Sequence, residues 1–128
     1  MFLSPSTSLR AAVAFLILWF GLGGVAHFVF TDVEMRIVPP YIPWRRAVVL
    51  ISGGLELLGA AGLLHPATRR WAAWGLFLLT VAVTPANVYM LQQANEFPGI
   101  PYGLLVARLP LQVALLALIA WVAVKSRR

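Results

Sequence analysis

Glu56 stands out because it is a carboxylate in strongly apolar surroundings. It lies inside the run 47–64, which is long enough to cross a bilayer. A charge at membrane depth is energetically costly, and such groups commonly mark a ligand, ion or proton site. The sequence therefore predicts that Glu56 pairs with another polar side chain inside the protein.

Arg108 is the predicted partner of Glu56. At about 1.5 Å per helical residue, Glu56 lies roughly 13 Å, and Arg108 roughly 8 Å, from the outer ends of their apolar runs. A guanidinium stays charged and can bind a carboxylate through two parallel hydrogen bonds. We therefore expect an Arg108–Glu56 pair, in which removing either partner would strand a buried charge at a cost of about 3–5 kcal/mol.

Five further polar residues share the outer halves of the apolar runs. They are His27, Ser52, Thr84, Asn87 and Gln112. Ser52 precedes Glu56 by four residues, a spacing that keeps two side chains on one helix face. The same spacing joins Arg108 to Gln112. These five residues, with Glu56 and Arg108, form the predicted ligand-binding set.

The same set also fits a purely structural role. Buried ion pairs and amide hydrogen bonds between helices can hold a membrane bundle together without binding any ligand. A single histidine near the membrane interface is commonly just hydrogen-bonded. The sequence alone leaves both interpretations open.

Residue types and positions exclude several kinds of chemistry. The chain has no cysteine, which excludes a disulfide framework, a thiolate metal site and a CxxC redox motif. His27 and His65 lie near opposite faces of a core about 30 Å thick, so they cannot ligate one haem iron. The sequence has no Gly-rich phosphate loop, HExxH motif or Ser/His/Asp set. No catalytic residue or metal site is predicted, and whether the chain is an enzyme stays open.

Four long apolar segments must position the polar residues. The 128-residue chain is 61% hydrophobic and 11% charged, whereas soluble domains are about half apolar and a quarter charged. The segments are 11–30, 47–64, 71–91 and 103–124, each near the roughly 20 residues that span a bilayer. Backbone polar groups must pair internally in lipid, so each segment is a helix. The predicted fold is an all-α integral membrane four-helix bundle, one domain over residues 1–128.

Basic residues set the predicted orientation of this bundle. One side holds Arg10, Arg69, Arg70, Lys125, Arg127 and Arg128, and the other holds Arg36, Arg45 and Arg46. The positive-inside rule therefore places both termini in the cytoplasm. Because these charges cluster at the ends of the spans, the net charge of +6 does not indicate a nucleic-acid partner.

Prolines mark both the outer loops and the spans. The outer loop 31–46 contains a Pro-rich segment, 40–44, that reads Pro-x-Ile-Pro-aromatic, and 98–102 repeats this pattern. We expect both to be rigid interfacial lead-ins, with part of the first loop lying along the outer surface as a short amphipathic stretch. Pro85 and Pro110 lie inside spans, where they predict kinks of the kind that often line a cavity.

The polar positions on all four segments resemble the DoxX-like family of small four-helix bacterial membrane proteins. The similar strings are 51–59 (ISGGLELLG), 84–87 (TPAN), 108–112 (RLPLQ), and His27-Phe28 ahead of 37–40 (IVPP). The resemblance covers residues from about 11 to 123. It implies a bundle in the bacterial inner (cytoplasmic) membrane, within the redox-associated DoxX/MauE-type group.

The resemblance implies a small subunit or accessory of a membrane redox system. The outer-half pocket around Glu56 and Arg108 would take a quinone-like or small polar ligand. Arg108 or Asn87 would bond to quinone carbonyls, and Glu56 or His27 would exchange protons. The chain would carry no cofactor of its own, so a membrane or periplasmic redox partner would supply the electrons.

Two alternatives remain open at this stage. The first is a non-enzymatic scaffold or assembly factor in which the polar set is structural. The second, less favoured, is a transporter of protons or a small molecule, for which a homo-oligomer would complete the path.

Overall fold

The computed structural model describes residues 5–36, 38–93, 99 and 101–126. In these ranges the chain forms six α-helices and no β-strand. They are α1 (Pro5–Val29), α2 (Thr31–Met35), α3 (Arg45–Leu64), α4 (Pro66–Ala82), α5 (Thr84–Gln92) and α6 (Tyr102–Lys125). Among the described residues, α1, α3 and α6 contain segments long and apolar enough to cross a membrane. The predicted all-α class is confirmed, and these three helices indicate a membrane protein.

The third predicted segment, 71–91, is divided between two helices. α4 ends at Ala82, α5 begins at Thr84, and Val83 between them has φ −89° and ψ −2°. Pro85 has no N–H to donate to the carbonyl four residues back, so the α4 hydrogen-bond ladder cannot continue through it. The predicted kink is thus a break between two helices. Pro110, by contrast, lies inside α6 without dividing it.

The apolar core lies at one end of the molecule. α1 packs on α3, α3 on α4, α4 on α6, and α6 also contacts α1. The core contains Leu16 from the first half of α1, Leu63 from the end of α3, Leu76 from α4 and Ile119 from the second half of α6. These positions belong to the end that carries the α3–α4 link. The opposite end holds a cavity and several polar residues beside buried apolar ones such as Val49 and Leu105.

Two glycines bring α1 and α3 into backbone contact at that opposite end. A Cβ on Gly24 would lie 2.9 Å from the carbonyl oxygen of Gly53, and a Cβ on Gly53 would lie 2.6 Å from Cβ of His27. Small residues allow this close approach of membrane helices. The contact holds His27 against the face of α3 that carries Glu56.

The loop between α1 and α3, which contains α2, folds back over this end. The Thr31 hydroxyl donates to the carbonyls of His27 (2.7 Å) and Phe28 (3.0 Å), which holds α2 against the end of α1. Farther along, Pro39 is fully buried, whereas Trp44 is 79% exposed and has a left-handed φ of 55° directly before α3. The second predicted lead-in, 98–102, lies largely outside the described residues.

Candidate functional site

His27 is the centre of a polar cluster drawn from three helices. Its Nδ1 lies 2.8 Å from the carbonyl oxygen of Val49. Its Nε2 lies 2.9 Å from Glu56 Oε2 and 3.1 Å from Glu34 Oε1. The histidine comes from α1, Glu34 from α2, and Val49 and Glu56 from α3. One imidazole therefore joins all three helices.

The partners of His27 determine where the hydrogens lie. A carbonyl oxygen can only accept, so Nδ1 carries a hydrogen and donates it to Val49. Nε2 faces two carboxylate oxygens, which also only accept when both groups are ionised. The arrangement therefore requires one more proton, on Nε2 or on one of the two carboxyl groups. His27, Glu34 and Glu56 thus share a proton.

The structure gives Glu56 a different partner from the predicted Arg108. Its carboxylate contacts His27, because the Gly24–Gly53 contact draws α1 onto α3. Arg108 lines the same cavity from α6, and its positive charge acts on Glu34. Arg108 therefore lies beside the cluster on the cavity wall, and His27 is the residue that contacts Glu56.

Glu34 is a site residue that the sequence analysis missed. Burial raises the pKa of its carboxyl group, an effect that the charges of His27 and Arg108 partly offset. Only a weak signal pointed to it: Glu34 follows His27 by seven residues, which would share a face in a continuous helix. The helix is not continuous, since α1 ends at Val29, but α2 still places Glu34 in contact with His27.

The cluster faces a cavity of about 510 Å³. This volume is within the range of roughly 300–1,000 Å³ typical of small-molecule sites. The apolar walls include Trp19, Phe20, Leu79, Leu111 and Leu115. The polar part of the lining is His27, Glu34, Ser52, Glu56, Thr80, Arg108 and Gln112. Apolar walls with a few convergent polar groups are the usual composition of a binding site.

A second polar group supports the cavity wall at the break between α4 and α5. Gln112 Nε2 donates to the carbonyl oxygen of Thr80 at 3.0 Å and contacts the Thr84 hydroxyl. That hydroxyl in turn donates to the same carbonyl at 3.1 Å. These bonds tie α6 to the carbonyl at the end of α4. Both amide hydrogens of Gln112 are engaged, so its amino group acts structurally.

Most of the predicted ligand-binding set reaches the cavity. The lining includes five of the seven residues, namely His27, Ser52, Glu56, Arg108 and Gln112. Thr84 contacts Gln112 and borders a second pocket. Asn87 lies on α5, and its side chain is outside the described part of the structure. Within that described part, no group of three His, Cys, Asp or Glu residues is arranged to hold a metal ion.

Comparison with known proteins gives a family without an assigned activity. No curated protein and no solved structure matches the chain. A family model described as a domain of unknown function (DUF8561) matches residues 15–124, a stretch that includes His27, Glu34, Glu56 and Arg108. The chain therefore belongs to the family described as a domain of unknown function (DUF8561).

Proposed function

We propose that this chain is a multi-pass protein of the bacterial inner membrane that binds a small ligand beside His27 and Glu56. The observation that carries the proposal is the position of the proton-sharing cluster on the wall of a mostly apolar cavity of about 510 Å³. Polar contacts that serve only to join helices need no cavity beside them. A mostly apolar cavity with a few polar groups on its wall suits a ligand that combines apolar surface with polar atoms.

The proposed membrane arrangement is a four-helix bundle with both termini in the cytoplasm. α1, α3 and α6 are each long enough to span, and α4 (17 residues) with α5 (nine residues) would form the fourth crossing. The basic residues at the α3–α4 link and after α6 support this orientation. The cavity then opens toward the outer half. A reporter fused after the last residue and active only outside the cytoplasm would contradict this topology.

A quinone-like molecule is the ligand class that we propose. Its carbonyl oxygens accept hydrogen bonds and its reduced form carries added protons. Arg108 is a donor on the cavity wall, and His27 with Glu56 holds a proton that can be exchanged. The rings of Trp19 and Phe20 supply flat apolar surface. Each part of the ligand therefore has a complementary part of the cavity.

The resemblance to DoxX-like proteins supports a role in a membrane redox system. In this role the chain is a small accessory subunit that positions the ligand and exchanges its protons. The chain has no cysteine, so any thiol chemistry belongs to a membrane or periplasmic partner, which also supplies the electrons. The proposed contribution of the chain is thus the binding site rather than the electron-transfer centre.

The quinone content of the purified protein tests the ligand. The protein is extracted with its native lipids and analysed by mass spectrometry as wild type, Glu56→Gln and Asp32→Asn. Asp32 is the matched control because it is a carboxylate whose side chain is 96% exposed. We expect near-stoichiometric quinone in the wild type and in Asp32→Asn, and at least fivefold less in Glu56→Gln. Equal, negligible amounts in all three would refute the quinone proposal.

One observation also favours a second candidate, a scaffold in which the cluster only joins helices. Both nitrogens of His27 bond across the α1–α3 contact, to Val49 and Glu56. A double variant, His27→Gln with Glu56→Gln, separates the two roles. As a scaffold it would keep the partner proteins that co-purify with the wild type, and the wild type itself would be free of ligand. As a ligand site it would fold but lose the bound molecule.

A further inference from the structure

A single nitrogen atom of His27 contacts two carboxylates that come from different depths. Glu34 belongs to the short helix α2, between α1 and α3 and outside the apolar spans. Glu56 lies near the middle of α3, whose bounds are Arg45–Leu64. Nε2 of His27 lies 3.1 Å from Glu34 Oε1 and 2.9 Å from Glu56 Oε2. Both distances are short enough for direct proton transfer along a hydrogen bond.

From this geometry we infer that Glu34, His27 and Glu56 form a proton relay between the outer surface and the cavity. Glu34 is the group that exchanges protons with water, and Glu56 is the group that presents them at the cavity. The inference rests on the proposed membrane arrangement and extends the proposed function of the same site. It does not depend on which molecule occupies the cavity.

The relay has two steps that conserve protons. First, protonated Glu34 gives its proton to the lone pair of His27 Nε2, leaving a carboxylate and an imidazolium. Second, the Nε2–H bond breaks and the proton passes to Glu56, leaving a neutral imidazole and a carboxylic acid. In both steps Nδ1 keeps its hydrogen and donates it to the carbonyl oxygen of Val49. The imidazole ring therefore does not have to rotate. The reverse sequence returns a proton to the surface.

The exposed fractions of the three side chains follow the proposed direction. Glu34 is 23% exposed, His27 17% and Glu56 12%. Burial also raises the pKa of the Glu34 carboxyl, which lets it hold a proton closer to neutral pH than an exposed glutamate does. A group that accepts and releases protons efficiently has a pKa near the working pH.

The charges around Glu34 act on its ionisation in opposite directions. The charged groups acting on Glu34 are His27 of α1, Glu56 of α3 and Arg108 of α6. Arg108 favours ionised Glu34, and Glu56 opposes ionisation. On α2 itself, Asp32 faces Arg46 of α3 at 3.9 Å, and both side chains are well exposed. Asp32 therefore lies on the same short helix without belonging to the relay.

Proton equilibration with Glu56 after a pH jump tests the relay. The protein is placed in lipid nanodiscs without added quinone, and the carboxylic C=O infrared band that disappears in Glu56→Gln reports protonated Glu56. We expect Glu34→Gln to slow the appearance of this band at least tenfold, and Asp32→Asn to match the wild type. Glu34→Asp, which keeps an exchangeable proton, should recover most of the rate. Circular dichroism confirms that each variant is folded.

A second measurement follows the histidine directly. The chain has two histidines, so ¹⁵N-histidine labelling gives two pairs of imidazole nitrogen signals, and a His65→Asn variant identifies the pair from His27. We expect Nδ1 of His27 to stay protonated while Nε2 gains or loses its hydrogen with pH. A rate in Glu34→Gln within twofold of the wild type, or a His27 ring with deprotonated Nδ1, would overturn the relay. Because no quinone is added, failure of the ligand proposal leaves this outcome unaffected.

Discussion

Gly23 of α1 lies directly against the carboxylate of Glu56, and a Cβ at this position would be 2.7 Å from Glu56 Oε1. A methyl group on residue 23 would not fit unless Glu56 moved. Gly21, two residues earlier in the same helix, has nothing within 4 Å of the corresponding Cβ position. The two glycines therefore separate an effect on the cluster from the general effect of adding alanine to α1.

Replacing Gly23 with alanine should disturb the cluster more than the fold. The crowded atom is the end of a flexible side chain, so Glu56 moves away from His27, while alanine gains up to about 1 kcal/mol in helix propensity. We expect stability within about 1 kcal/mol of the wild type, an altered His27 ¹⁵N spectrum and less bound quinone. Gly21→Ala should leave the spectrum and the quinone content unchanged. An unaltered His27 signal in Gly23→Ala would contradict the contact.

Alanine at Gly53, in the glycine contact between α1 and α3, should reduce stability more than alanine at Gly23. In Gly53→Ala the new Cβ would meet His27 Cβ at 2.6 Å and the Gly24 carbonyl oxygen at 3.1 Å, neither of which can rotate away. Overpacking of this kind costs about 1–3 kcal/mol. The neighbouring Gly54 has nothing within 4 Å, so Gly54→Ala should be neutral or slightly stabilising. Thermal unfolding in detergent measures both, and equal midpoints would argue against the close contact.

The hydrogen bond from Gln112 to the end of α4 should contribute to the stability of the fold. Gln112→Leu removes the amide that bonds to the buried carbonyl of Thr80, and a buried polar group that loses its partner costs about 1–3 kcal/mol. Part of this cost is offset because the Thr84 hydroxyl still donates to the same oxygen. Gln92→Leu is the control, since Gln92 is exposed on α5. Similar unfolding midpoints for the two variants would show that the Gln112 bond contributes little.

Ionisation of Glu34 should lower the stability of the folded protein as pH rises. Because burial raises its pKa, the folded protein binds this proton more tightly than the unfolded chain. The contribution is complete below the ordinary value of 4.5 and is lost as pH rises through the higher folded value. Unfolding of wild type and Glu34→Gln between pH 4 and 8 isolates the effect. The advantage of the wild type over the variant should shrink as pH rises, and a constant difference would count against it.

The centre of the site could be predicted from sequence, but not its pairing. A carboxylate in an apolar run stands out in the sequence, and His27 shares the same half of the apolar runs with Glu56. Depth does not tell how far each helix is rotated about its axis. That rotation follows from the approach of Gly24 to Gly53, a contact between residues distant in sequence. For this reason Arg108, an equally good partner by depth, was predicted instead of His27.

Two other features depended on structure beyond local sequence. Glu34 lies on a five-residue helix, too short to show a periodic pattern. Pro85 indicated a disturbance in the third segment, but the hydrogen bond from Gln112 of α6 to the carbonyl of Thr80 near the end of α4 could not be predicted from it. Both features depend on neighbours that the sequence does not identify.

The position of Trp44 has a consequence for how the protein responds to membrane thickness. Its exposed indole precedes α3, and indoles favour the interface between lipid head groups and hydrocarbon. Glu56 follows twelve residues later, about 18 Å along the helix axis. In the proposed membrane arrangement, this length of helix would set the depth of the carboxylate below the interface that holds Trp44. In that arrangement, hydrophobic mismatch would be taken up at the other end of α3, beside the link to α4, and the cavity would keep its depth.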